Sequence, residues 1–485
     1  MSVTVEALQA VASIVGPRWV RHQRAELETY ASDGLATLHV VPGAVVMPGT
    51  RDELVGVVRA LAQHGVPFAP RGAGTGLSGG ALATSDAVVI ALTRLDRILS
   101  VEPRNRRAVV EPGVVNVRLS RAAASYGLHY APDPSSQTVC TIGGNVAENA
   151  GGPHCLKYGV TTNHILALEV VLPSGEVVTL GADGGDPWGP DLVGLFVGSE
   201  GTFGIASRIT VRLVPLPRAV ETLLAPFGSL RVAGEAVSAI IASGIVPAAL
   251  EMMDRNCIRA VEASIYRAGY PTDAAAVLLV ELDGRSADAV AEAARTVEGL
   301  LRRAGALSVR AAREADERER LWHGRKKAFG AMGRLSPDLV VQDAVVPRTS
   351  LPDVLEVIAG IGARHGLTVA NVFHAGDGNL HPNIAFDRRD PALRARVARA
   401  SAEIMDACIA AGGTITGEHG VGRDKLRYMT AIFDATTLGL MRDTRRVFDP
   451  AEHANPGKVV PALGCREPTA ARLAQPPAAA RELAG

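Results

Sequence analysis

The chain has little that would indicate disulfide or iron–sulfur chemistry. Its 485 residues include five cysteines, an odd number without a CxxC pair: Cys140, Cys155, Cys257, Cys408 and Cys465. This pattern argues against a disulfide framework, a zinc ribbon and an iron–sulfur cluster, which need paired or closely spaced cysteines. It is typical of a reducing compartment, and we expect a cytoplasmic protein.

The chain also lacks a charge excess and a long apolar run. Fifty basic residues balance fifty acidic ones, and no run rich in Lys and Arg occurs. We therefore expect neither a nucleic-acid partner nor a polybasic membrane patch. No uninterrupted apolar stretch reaches about 18 residues, and the N-terminus lacks the basic start and apolar core of a signal peptide. We expect no transmembrane segment, and any membrane association would be peripheral, through partners.

The length exceeds what one hydrophobic core normally serves, and changes in composition indicate where the chain divides. Short β-branched runs at 88–92, 108–113 and 166–175 alternate with helical stretches, which is typical of a mixed α+β domain. Beyond residue 217, Ala-rich helical periods at 233–243 and 287–304 surround a strand at 277–284. The predicted division is a helical arm (1–37), a glycine-rich domain (38–217), a second domain (218–463) and a poorly ordered Ala/Pro-rich tail (464–485).

The first glycine-rich loop contains a formal GxGxxG at Gly74 to Gly79. A Rossmann fingerprint must open a helix and carry an acidic residue about 20 positions later. Here the loop leads into the predicted strand 87–92, so the Rossmann interpretation is rejected. The dense glycines instead allow successive backbone N–H groups to surround an anion, and a diphosphate is the natural occupant. A flexible connector is the alternative.

The most informative feature is the segment 371–382 together with Gly417-Glu418-His419-Gly420. An Ala-Gly-Asp-Gly-Asn turn between apolar residues predicts a hairpin in which His374 and His381 face each other, with Cβ atoms about 5 Å apart. Two imidazoles and the Glu418 carboxylate would hold zinc, manganese or iron(II). His419 is then free for proton transfer. The alternative is that these histidines only stabilise turns.

Further segments strengthen a common interpretation. The chain contains PRGAGTGLSGGAL, PDPSS, TIGGNVAENAGG, KYGVT, GSEGTFGI, WHGRKKAF, HAGDGNLHP, ITGEHGVGRDKL and NPGKVVP. Together they resemble the FAD-linked oxidases of the vanillyl-alcohol oxidase type, and within them the glycolate oxidase flavoprotein subunits and D-lactate dehydrogenases. The resemblance covers roughly residues 30–462. It implies an α+β fold: a two-subdomain FAD-binding domain of the PCMH type, then a cap domain with an antiparallel sheet and helices, whose last segment returns to the flavin.

The resemblance assigns FAD contacts by position in these motifs. The residues assigned to the diphosphate are Arg71, Gly72, Ala73, Gly74, Thr75, Gly76, Leu77, Ser78, Gly79 and Gly80. Those assigned to the isoalloxazine and ribityl chain are Pro132, Asp133, Ser135, Ser136, Thr141, Ile142, Gly143, Gly144, Asn145, Ala147, Asn149 and Gly151. Glu200, Gly201 and Ile205 are assigned to the adenosine end, and Asn455 and Lys458 complete the pocket. Some relatives attach the flavin through a histidine in the first loop. Thr75 occupies the middle of that loop here, so we expect dissociable FAD, with Cys140 or Cys155 as the alternative anchor.

The chemistry implied by this family is the oxidation of an (R)-2-hydroxy acid, glycolate or D-lactate, with hydride passing from C2 to flavin N5. A metal on His374, His381 and Glu418 would chelate the substrate, and His419 would be the general base. Arg325 and Lys326 would clamp the substrate carboxylate, because the planar guanidinium suits bidentate binding. A solvated basic helix face is the alternative, chiefly for Lys327. The resemblance favours zinc among the metals.

Partners and alternative functions follow from the same resemblance. No NAD site is visible, so a protein, a quinone or oxygen must reoxidise the flavin. In glycolate oxidase the route runs through a related flavoprotein subunit and an iron–sulfur subunit, and homodimerisation stays open. The alternative functions are a D-2-hydroxyglutarate dehydrogenase, a non-redox flavoenzyme like alkyl-dihydroxyacetonephosphate synthase, and a catalytically silent FAD-binding subunit.

Overall fold

The computed structural model describes residues 3–35, 37–182 and 189–461. The predicted tail, 464–485, lies outside the described residues.

The strands of the described residues form several sheets. In chain order they are β1 (Val20–Arg21), β2 (Ala44–Val46), β3 (Phe68–Arg71), β4 (Val88–Ala91), β5 (Ile98–Glu102), β6 (Arg107–Val110), β7 (Leu128–His129), β8 (Ile165–Val171), β9 (Val177–Gly181), β10 (Ile205–Arg212), β11 (Val214–Pro215), β12 (Ala219–Phe227), β13 (Ala249–Asp254), β14 (Ala276–Gly284), β15 (Arg310–Ala311), β16 (Asp338–Val341), β17 (Ala344–Val345), β18 (Thr368–His374), β19 (Asn379–Leu380) and β20 (Pro382–Phe386).

The helices of the described residues lie between these strands and after them. In chain order they are α1 (Val5–Val15), α2 (Arg24–Leu27), α3 (Arg51–Gln63), α4 (Asn116–Ala124), α5 (Ile142–Glu148), α6 (Cys155–Tyr158), α7 (Leu192–Phe196), α8 (Leu230–Ala242), α9 (Arg255–Glu262), α10 (Ala287–Arg303), α11 (Ala315–Lys326), α12 (Ala328–Met332), α13 (Leu351–His365), α14 (Pro391–Ala410), α15 (Met429–Ile432) and α16 (Ala435–Phe448). None of them combines the length and the apolar content that crossing a bilayer requires.

The first sheet holds the glycine-rich loop. Its order is β1-β2-β4-β3, with β4 parallel to both β2 and β3. The loop leaves β3 and enters β4 directly, which confirms that no helix follows the GxGxxG. Helices α1 and α3 pack together beside this sheet and bury one apolar stripe each, including Val11 of α1 and Leu54 of α3. Each helix begins at a threonine whose side chain accepts an N–H of the first turn.

A second, antiparallel sheet has the order β5-β6-β10-β8-β9. Its apolar face packs on α4 and α5, so that Leu119 and Ile142 become fully buried. The strands predicted at 88–92, 108–113 and 166–175 correspond to β4, β6 and β8. Loops that adjoin both sheets contribute residues to the cavity described below.

The third sheet is large and antiparallel. Its path is β15-β12-β14-β13-β18-β19-β17, and β20 pairs with both β18 and β16. Helices α8, α10, α13 and α14 cover one face and bury the largest apolar cluster of the described residues. On the other face α9, α11 and α12 cover one part, and the remainder borders the cavity. The predicted α+β class and the antiparallel cap sheet are therefore confirmed, as are the elements at 233–243, 277–284 and 287–304.

The predicted hairpin around the histidines is present, but its register differs from the prediction. His374, the last residue of β18, lies opposite Asn379 and not opposite His381. A loop of four residues, 375–378, closes the hairpin, so His381 lies two positions beyond the paired residue. The two imidazoles are therefore diagonal neighbours, with ring centroids 5.3 Å apart. Diagonal neighbours on one sheet face are still close enough to share an ion.

The segment after α16 returns to the first sheet. Ala454 pairs in parallel with Phe68, and the Asn455 N–H donates to the Phe68 carbonyl oxygen at 2.7 Å. The Asn455 amide also donates to the carbonyl oxygens of Gly80 (2.9 Å) and Glu200 (2.6 Å). Three distant parts of the chain are thus held together beside the glycine-rich loop.

Candidate active site

A cavity of about 700 Å³ lies between the glycine-rich loops and the open face of the cap sheet. This volume is within the range of small-molecule sites, roughly 300–1,000 Å³. The predicted cofactor residues that line it are Arg71, Gly72, Ala73, Gly74, Thr75, Gly76, Leu77, Gly80, Ser135, Ser136, Thr141, Gly143, Gly144, Asn145, Ala147 and Glu200. All six residues predicted for metal binding and catalysis line the same cavity.

The first loop offers the cavity a row of free donors. Within the described part of the chain, no backbone N–H from Gly72 to Gly80 donates to another protein group. Gly74 and Gly79 have φ values of 71° and 77°, which reverse the direction of successive N–H groups. A Cβ on Gly72 would lie 2.4 Å from the Thr141 hydroxyl oxygen, so only glycine allows this close approach. The loop therefore fits the diphosphate of FAD.

The second loop adds polar groups without partners. Thr141 begins α5 and accepts the Gly144 N–H at 3.2 Å, which fixes the start of the helix. The Asn145 amide nitrogen and one Glu148 carboxylate oxygen are buried without a hydrogen-bond partner among the described residues. Both residues line the cavity. Buried polar atoms of this kind usually have partners, and a polar ligand such as FAD would supply them.

The other predicted cofactor residues do not line the cavity. They are Ser78, Gly79, Pro132, Asp133, Ile142, Asn149, Gly151, Gly201, Ile205, Asn455 and Lys458. Ile142 and Ile205 belong to apolar cores. The Ser78 carbonyl oxygen accepts the N–H groups of Arg423 (3.0 Å) and Asp424 (3.1 Å). The Lys458 ammonium donates to the Leu82 carbonyl and the Asn455 side chain, and burial lowers the pKa of Lys458 to about 8.

The predicted metal ligands meet at the cavity floor. The ligand atoms of His374, His381 and Glu418 all lie within 4.8 Å of one another. The Glu418 Oε1 atom is 3.2 Å from His374 Nε2 and 3.1 Å from His381 Nε2. The His381 Nε2 atom is buried and makes no well-formed hydrogen bond. Two buried imidazoles and a half-buried carboxylate that converge in this way fit a divalent ion such as zinc, manganese or iron(II).

The Nδ1 atoms of His374 and His381, on the side of each ring away from the metal position, also have polar partners. Glu251 on β13 accepts from His374 Nδ1 at 2.8 Å, and the Gln342 carbonyl oxygen lies 3.2 Å from His381 Nδ1. Partners of this kind fix the tautomer and aim Nε2 at a metal. Burial opposes the charged form of His374, but Glu251 and Glu418 raise the pKa of His374 well above its usual value. A divalent ion bound here would replace the proton that Glu251 and Glu418 stabilise on the His374 ring.

Asp343 holds the turn that carries Glu418 and His419. Its fully buried carboxylate accepts the N–H groups of Gly417 (3.1 Å) and His419 (3.0 Å), and the Lys425 ammonium lies 2.8 Å away. Burial raises the pKa of Asp343, but Lys425 and the nearby histidines hold it well below its usual range. Asp343, His381 and His419 form a second group with metal-ligand geometry. Because Asp343 already accepts these donors, it serves as the anchor of the turn.

His419 lies beside the proposed metal position with a ring nitrogen free. Its imidazole stacks on His381 with ring centroids 4.9 Å apart, and its Nδ1 atom is buried without a partner among the described residues. Its Nε2 atom is 3.9 Å from Glu418 Oε1. Burial lowers the pKa of His419 to about 4. The ring is therefore neutral near pH 7 and can accept a proton.

The predicted carboxylate clamp is already partly paired. Arg325 on α11 forms a buried ion pair with Glu251, although its Nε–H is without a partner in the described structure. The Lys326 ammonium is 3.3 Å from Asp133. Lys327 is exposed at the rim of the cavity, with no ion pair in the described part of the chain. Arg325 and Lys326 thus reach the cavity with only some of their donors available.

The cysteines considered as covalent anchors are free thiols. Cys140 lines the cavity and Cys155 lies nearby. Burial raises the pKa of Cys140 to about 11 and that of Cys155 well above its usual value. Near neutral pH both are thiols and not the nucleophilic thiolates.

Sequence reasoning missed several residues at this site. The missed residues that line the cavity include Glu148, Tyr266, Phe329, Val341, Val372 and Asn383. Glu251 and Asp343 were missed behind the metal ligands. A signal was available for Glu251, whose neighbours on both sides in the strand Ala-Leu-Glu-Met-Met-Asp are apolar. A buried charge needs partners, so an isolated acid in such a strand indicates a polar site.

Comparisons with known proteins match both parts of the chain. Residues 42–181 match a family described as "FAD binding domain" and residues 216–459 match "FAD linked oxidases, C-terminal domain". The chain is 48% identical over 444 residues to glycolate oxidase subunit GlcD of Escherichia coli (strain K12), covering 92% of this chain and 89% of the relative. It is 32% identical over 425 residues to a D-lactate dehydrogenase of Anaerostipes hadrus, covering 86% and 89%. The fold also matches a crystal structure of p-cresol methylhydroxylase with substrate bound, at 17% identity and a TM-score of 0.80 over 94% of this chain and 97% of that one.

Proposed function

Since the chain belongs to the family of FAD-linked oxidases, we propose that it oxidises an (R)-2-hydroxy acid, glycolate or D-lactate, to the 2-oxo acid. The observation that carries this proposal is the cluster of His374, His381 and Glu418 beside His419, whose Nδ1 atom has no partner among the described residues, inside the cavity that the FAD loops line. The similar proteins named a glycolate oxidase subunit and a D-lactate dehydrogenase support this substrate class.

The chain holds FAD, and we propose that it does so without a covalent bond, between residues 38–217 as the FAD-binding domain and 218–463 as the cap. The free N–H groups from Gly72 to Gly80 would bind the diphosphate, and Asn145 and Glu148 would meet polar groups farther along the cofactor. Bound FAD supplies the acceptor for the hydride that leaves C2 of the substrate. Outside the cavity lining, Asn455 and Lys458 donate to the Gly80 and Leu82 carbonyl oxygens and so hold the end of the first loop in place.

His374, His381 and Glu418 would hold a divalent ion, for which zinc is our first choice and manganese or iron(II) are alternatives. When bound, such an ion acts as a Lewis acid that favours the alkoxide form of a hydroxyl group. Glu251 aims the His374 ring, and the Asp343 anchor holds the turn that carries Glu418. The site thus depends on residues of four segments of the chain.

His419 would remove the hydroxyl proton of the substrate. Its position on the Asp343-anchored turn places it next to Glu418, and its neutral ring has an unoccupied nitrogen to receive the proton. A positioned base of this kind contributes about 10²- to 10⁴-fold to the rate. The remaining donors of Arg325 and Lys326 would orient the substrate carboxylate so that C2 faces the flavin.

The electron acceptor would be a protein or a quinone that binds outside the cavity. The name of the most similar relative reported above calls that protein a subunit, and we propose partner subunits for this chain as well, a related flavoprotein and an iron–sulfur protein among them. A cytoplasmic location, peripheral to the membrane through such partners, is consistent with this proposal.

The test is anaerobic mixing of the purified yellow protein with glycolate, D-lactate and L-lactate while the flavin absorbance near 450 nm is followed. We expect bleaching by glycolate or D-lactate and much slower bleaching by L-lactate, because metal, base and flavin define one face of C2. Full FAD and metal content without bleaching by any 2-hydroxy acid would contradict the proposed function.

A further inference from the structure

Glu148, the last residue of α5, reaches the first glycine-rich loop from inside the cavity. A Cβ on Gly80 would lie 2.6 Å from Glu148 Oε1, and a Cβ on Gly76 would lie 3.8 Å from the same atom. The carboxyl group therefore stands beside the loop whose free N–H groups fit the diphosphate of FAD. A negative charge at this position would repel the diphosphate.

A second carboxyl group, that of Glu200, lies against Glu148. Glu148 Oε2 and Glu200 Oε1 are 2.3 and 2.7 Å from one point, the Cβ position of Gly420, so they are no more than about 5 Å apart. Glu200 is buried, and so is the Oε2 atom of Glu148. Two ionised carboxylates this close in a buried place repel each other, so the pair retains a proton.

The hydrogen bonds of the pair determine which residue carries the proton. Glu200 accepts the N–H groups of Val421 (2.6 Å) and Gly422 (2.7 Å). Glu148 Oε2 has no partner among the described residues. Because N–H donors favour the ionised form of a carboxyl group, Glu200 keeps the negative charge and Glu148 keeps the proton.

The cations near the pair do not neutralise Glu148. The Lys425 ammonium is 2.8 Å from the Asp343 carboxylate, and the Lys458 ammonium donates to other groups. Arg423 is exposed, so water and salt screen its charge. An ionised Glu148 would therefore have no direct cationic partner in the part of the chain that the structure describes.

The same contacts set the pKa values of the pair. Burial and the neighbouring carboxyl groups of Glu200 and Asp33 raise the pKa of Glu148 well above its usual value. The two lysines lower it, but by less. Burial also raises the pKa of Glu200 to about 7, while its two backbone donors act in the opposite direction. Near pH 7 the Glu148 carboxyl group is therefore neutral and able to donate a hydrogen bond.

We propose that FAD binds with Glu148 protonated, and that this neutral carboxyl group donates a hydrogen bond to the cofactor. This role of Glu148 rests on the dissociable FAD of the proposed function and adds one proton to its binding. An ionised Glu148 would instead place a negative charge and two acceptor oxygens beside the diphosphate loop, so loss of the proton should release FAD.

The affinity for FAD should therefore fall as pH rises. The bound diphosphate favours the neutral form of Glu148, so FAD raises the pKa of Glu148 above its value in the FAD-free protein. The affinity is then fully present below the pKa that Glu148 has in the FAD-free protein, and it is lost as pH rises through that pKa.

Two substitutions distinguish a donor from an acceptor at this position. Glu148→Gln keeps the size and a donor without a charge, and Glu148→Met keeps the size without a donor. Titration of FAD into the FAD-free proteins at pH 7, followed by flavin fluorescence, should show Glu148→Gln within about 3-fold of wild type and Glu148→Met at least about 10-fold weaker. Thermal unfolding verifies that each FAD-free protein is folded. Glu148→Gln as weak as Glu148→Met, or Glu148→Met as tight as wild type, would overturn the proposal.

Titrations from pH 6 to 9.5 test the proton. One linked proton lowers the affinity by up to about 10-fold per pH unit, so the wild type should lose at least about 10-fold relative to Glu148→Gln over this range. Lys458, whose pKa burial lowers to about 8, loses its charge in the same range but is present in both proteins. Asp254→Asn removes a carboxyl group outside the cavity lining whose pKa burial raises to about 6, and it should keep the wild-type profile. Parallel profiles for wild type and Glu148→Gln would overturn the proposal.

Infrared spectroscopy of the FAD-loaded protein needs neither removal of FAD nor turnover. At pH 7 the wild type should show a protonated-carboxyl band that shifts with isotope-labelled glutamate and is weaker in Glu148→Gln. Absence of this band from the wild type would overturn the proposal whatever the variants do. FAD that stays attached to the unfolded protein would refute the dissociable cofactor of the proposed function, and the infrared band would then decide the role of Glu148.

Discussion

Glu251 is fully buried in an apolar strand and is shared by His374 and Arg325. Burial raises the pKa of Glu251, but the two partners more than offset this and lower it. The carboxylate therefore stays ionised and links one metal ligand to one proposed substrate-binding residue. A substitution of Glu251 should therefore weaken metal binding more than FAD binding.

We expect Glu251→Gln to weaken metal binding by about 10- to 100-fold, because the amide no longer fixes the His374 tautomer. Competition with a chromophoric chelator measures the affinity. Asp254→Asn is the matched control, since Asp254 is a buried carboxylate at the end of the same strand that bonds to Asn371 and the Cys257 N–H. Unchanged metal affinity in Glu251→Gln would show that Glu251 serves only the ion pair with Arg325.

His419→Ala should leave FAD and metal bound but slow flavin reduction by about 10²- to 10⁴-fold, the usual contribution of a general base. Metal content and the flavin spectrum establish that the site is intact, and stopped-flow absorbance gives the rate. His323→Ala, which changes an exposed histidine of α11, is the control and should be unaffected. A normal reduction rate in His419→Ala would remove the base assignment.

At the scale of elements, the turn at 375–378 determines where the two histidines lie. Gly378 has a φ of 80°, and a Cβ at this position would lie 2.2 Å from the Val346 carbonyl oxygen. The turn therefore needs glycine for both its conformation and its contact with the β17 region. The sequence indicated the turn through its Gly and Asp residues, but it could not show that Val346 packs against it.

We expect Gly378→Ala to destabilise the protein by about 3 kcal/mol, the sum of the positive-φ penalty and a steric clash. Gly244→Ala is the matched control: Gly244 has a φ of 83° with no atom near its Cβ position, so only the first penalty, about 1 kcal/mol, applies. Thermal unfolding should place the melting temperature of Gly378→Ala below that of Gly244→Ala. Equal melting temperatures would show that the turn can move away from Val346.

The elements show which features of this protein can be predicted from sequence. The 287–304 period and the 277–284 run correspond closely to α10 and β14, because local periodicity reflects which face is buried. The hairpin was predicted, but its register was wrong by two positions, since loop length and not the spacing of the histidines sets the pairing. The roles of Glu251 and Asp343 depend on contacts made more than 70 residues away, which periodicity cannot report.

At the scale of the whole molecule, a charged cluster joins the two major parts of the chain. His154, from the glycine-rich part, lies 2.9 Å from Asp133 and 3.2 Å from Glu281 of the cap sheet. Trp322 donates to the same Glu281, and Lys326 also approaches Asp133. Burial opposes the charge on His154, but the two carboxylates raise the pKa of His154 to about 10. The cluster thus holds the cap against the flavin loops through a protonated histidine.

This raised pKa predicts how stability changes with pH. The contribution of His154 is fully present below pH 6.5, the ordinary pKa of the group, and is lost as pH rises through about 10. Between these values the wild type should lose on the order of 2 kcal/mol more than His154→Gln, which has no titrating group at this position. Thermal unfolding of both proteins from pH 6 to 10.5 measures the difference. Parallel pH profiles would show that the histidine is not charged in the folded protein.

The proposed mechanism requires a metal-bound substrate and His419 to act together within the FAD cavity. The most direct measurement is anaerobic stopped-flow reduction of the flavin by the preferred acid, for protein stripped with a chelator and then restored with zinc or manganese. We expect that stripped protein keeps its FAD but is not reduced, and that one of these ions restores the rate. Full-rate reduction of protein shown to be free of metal would contradict it.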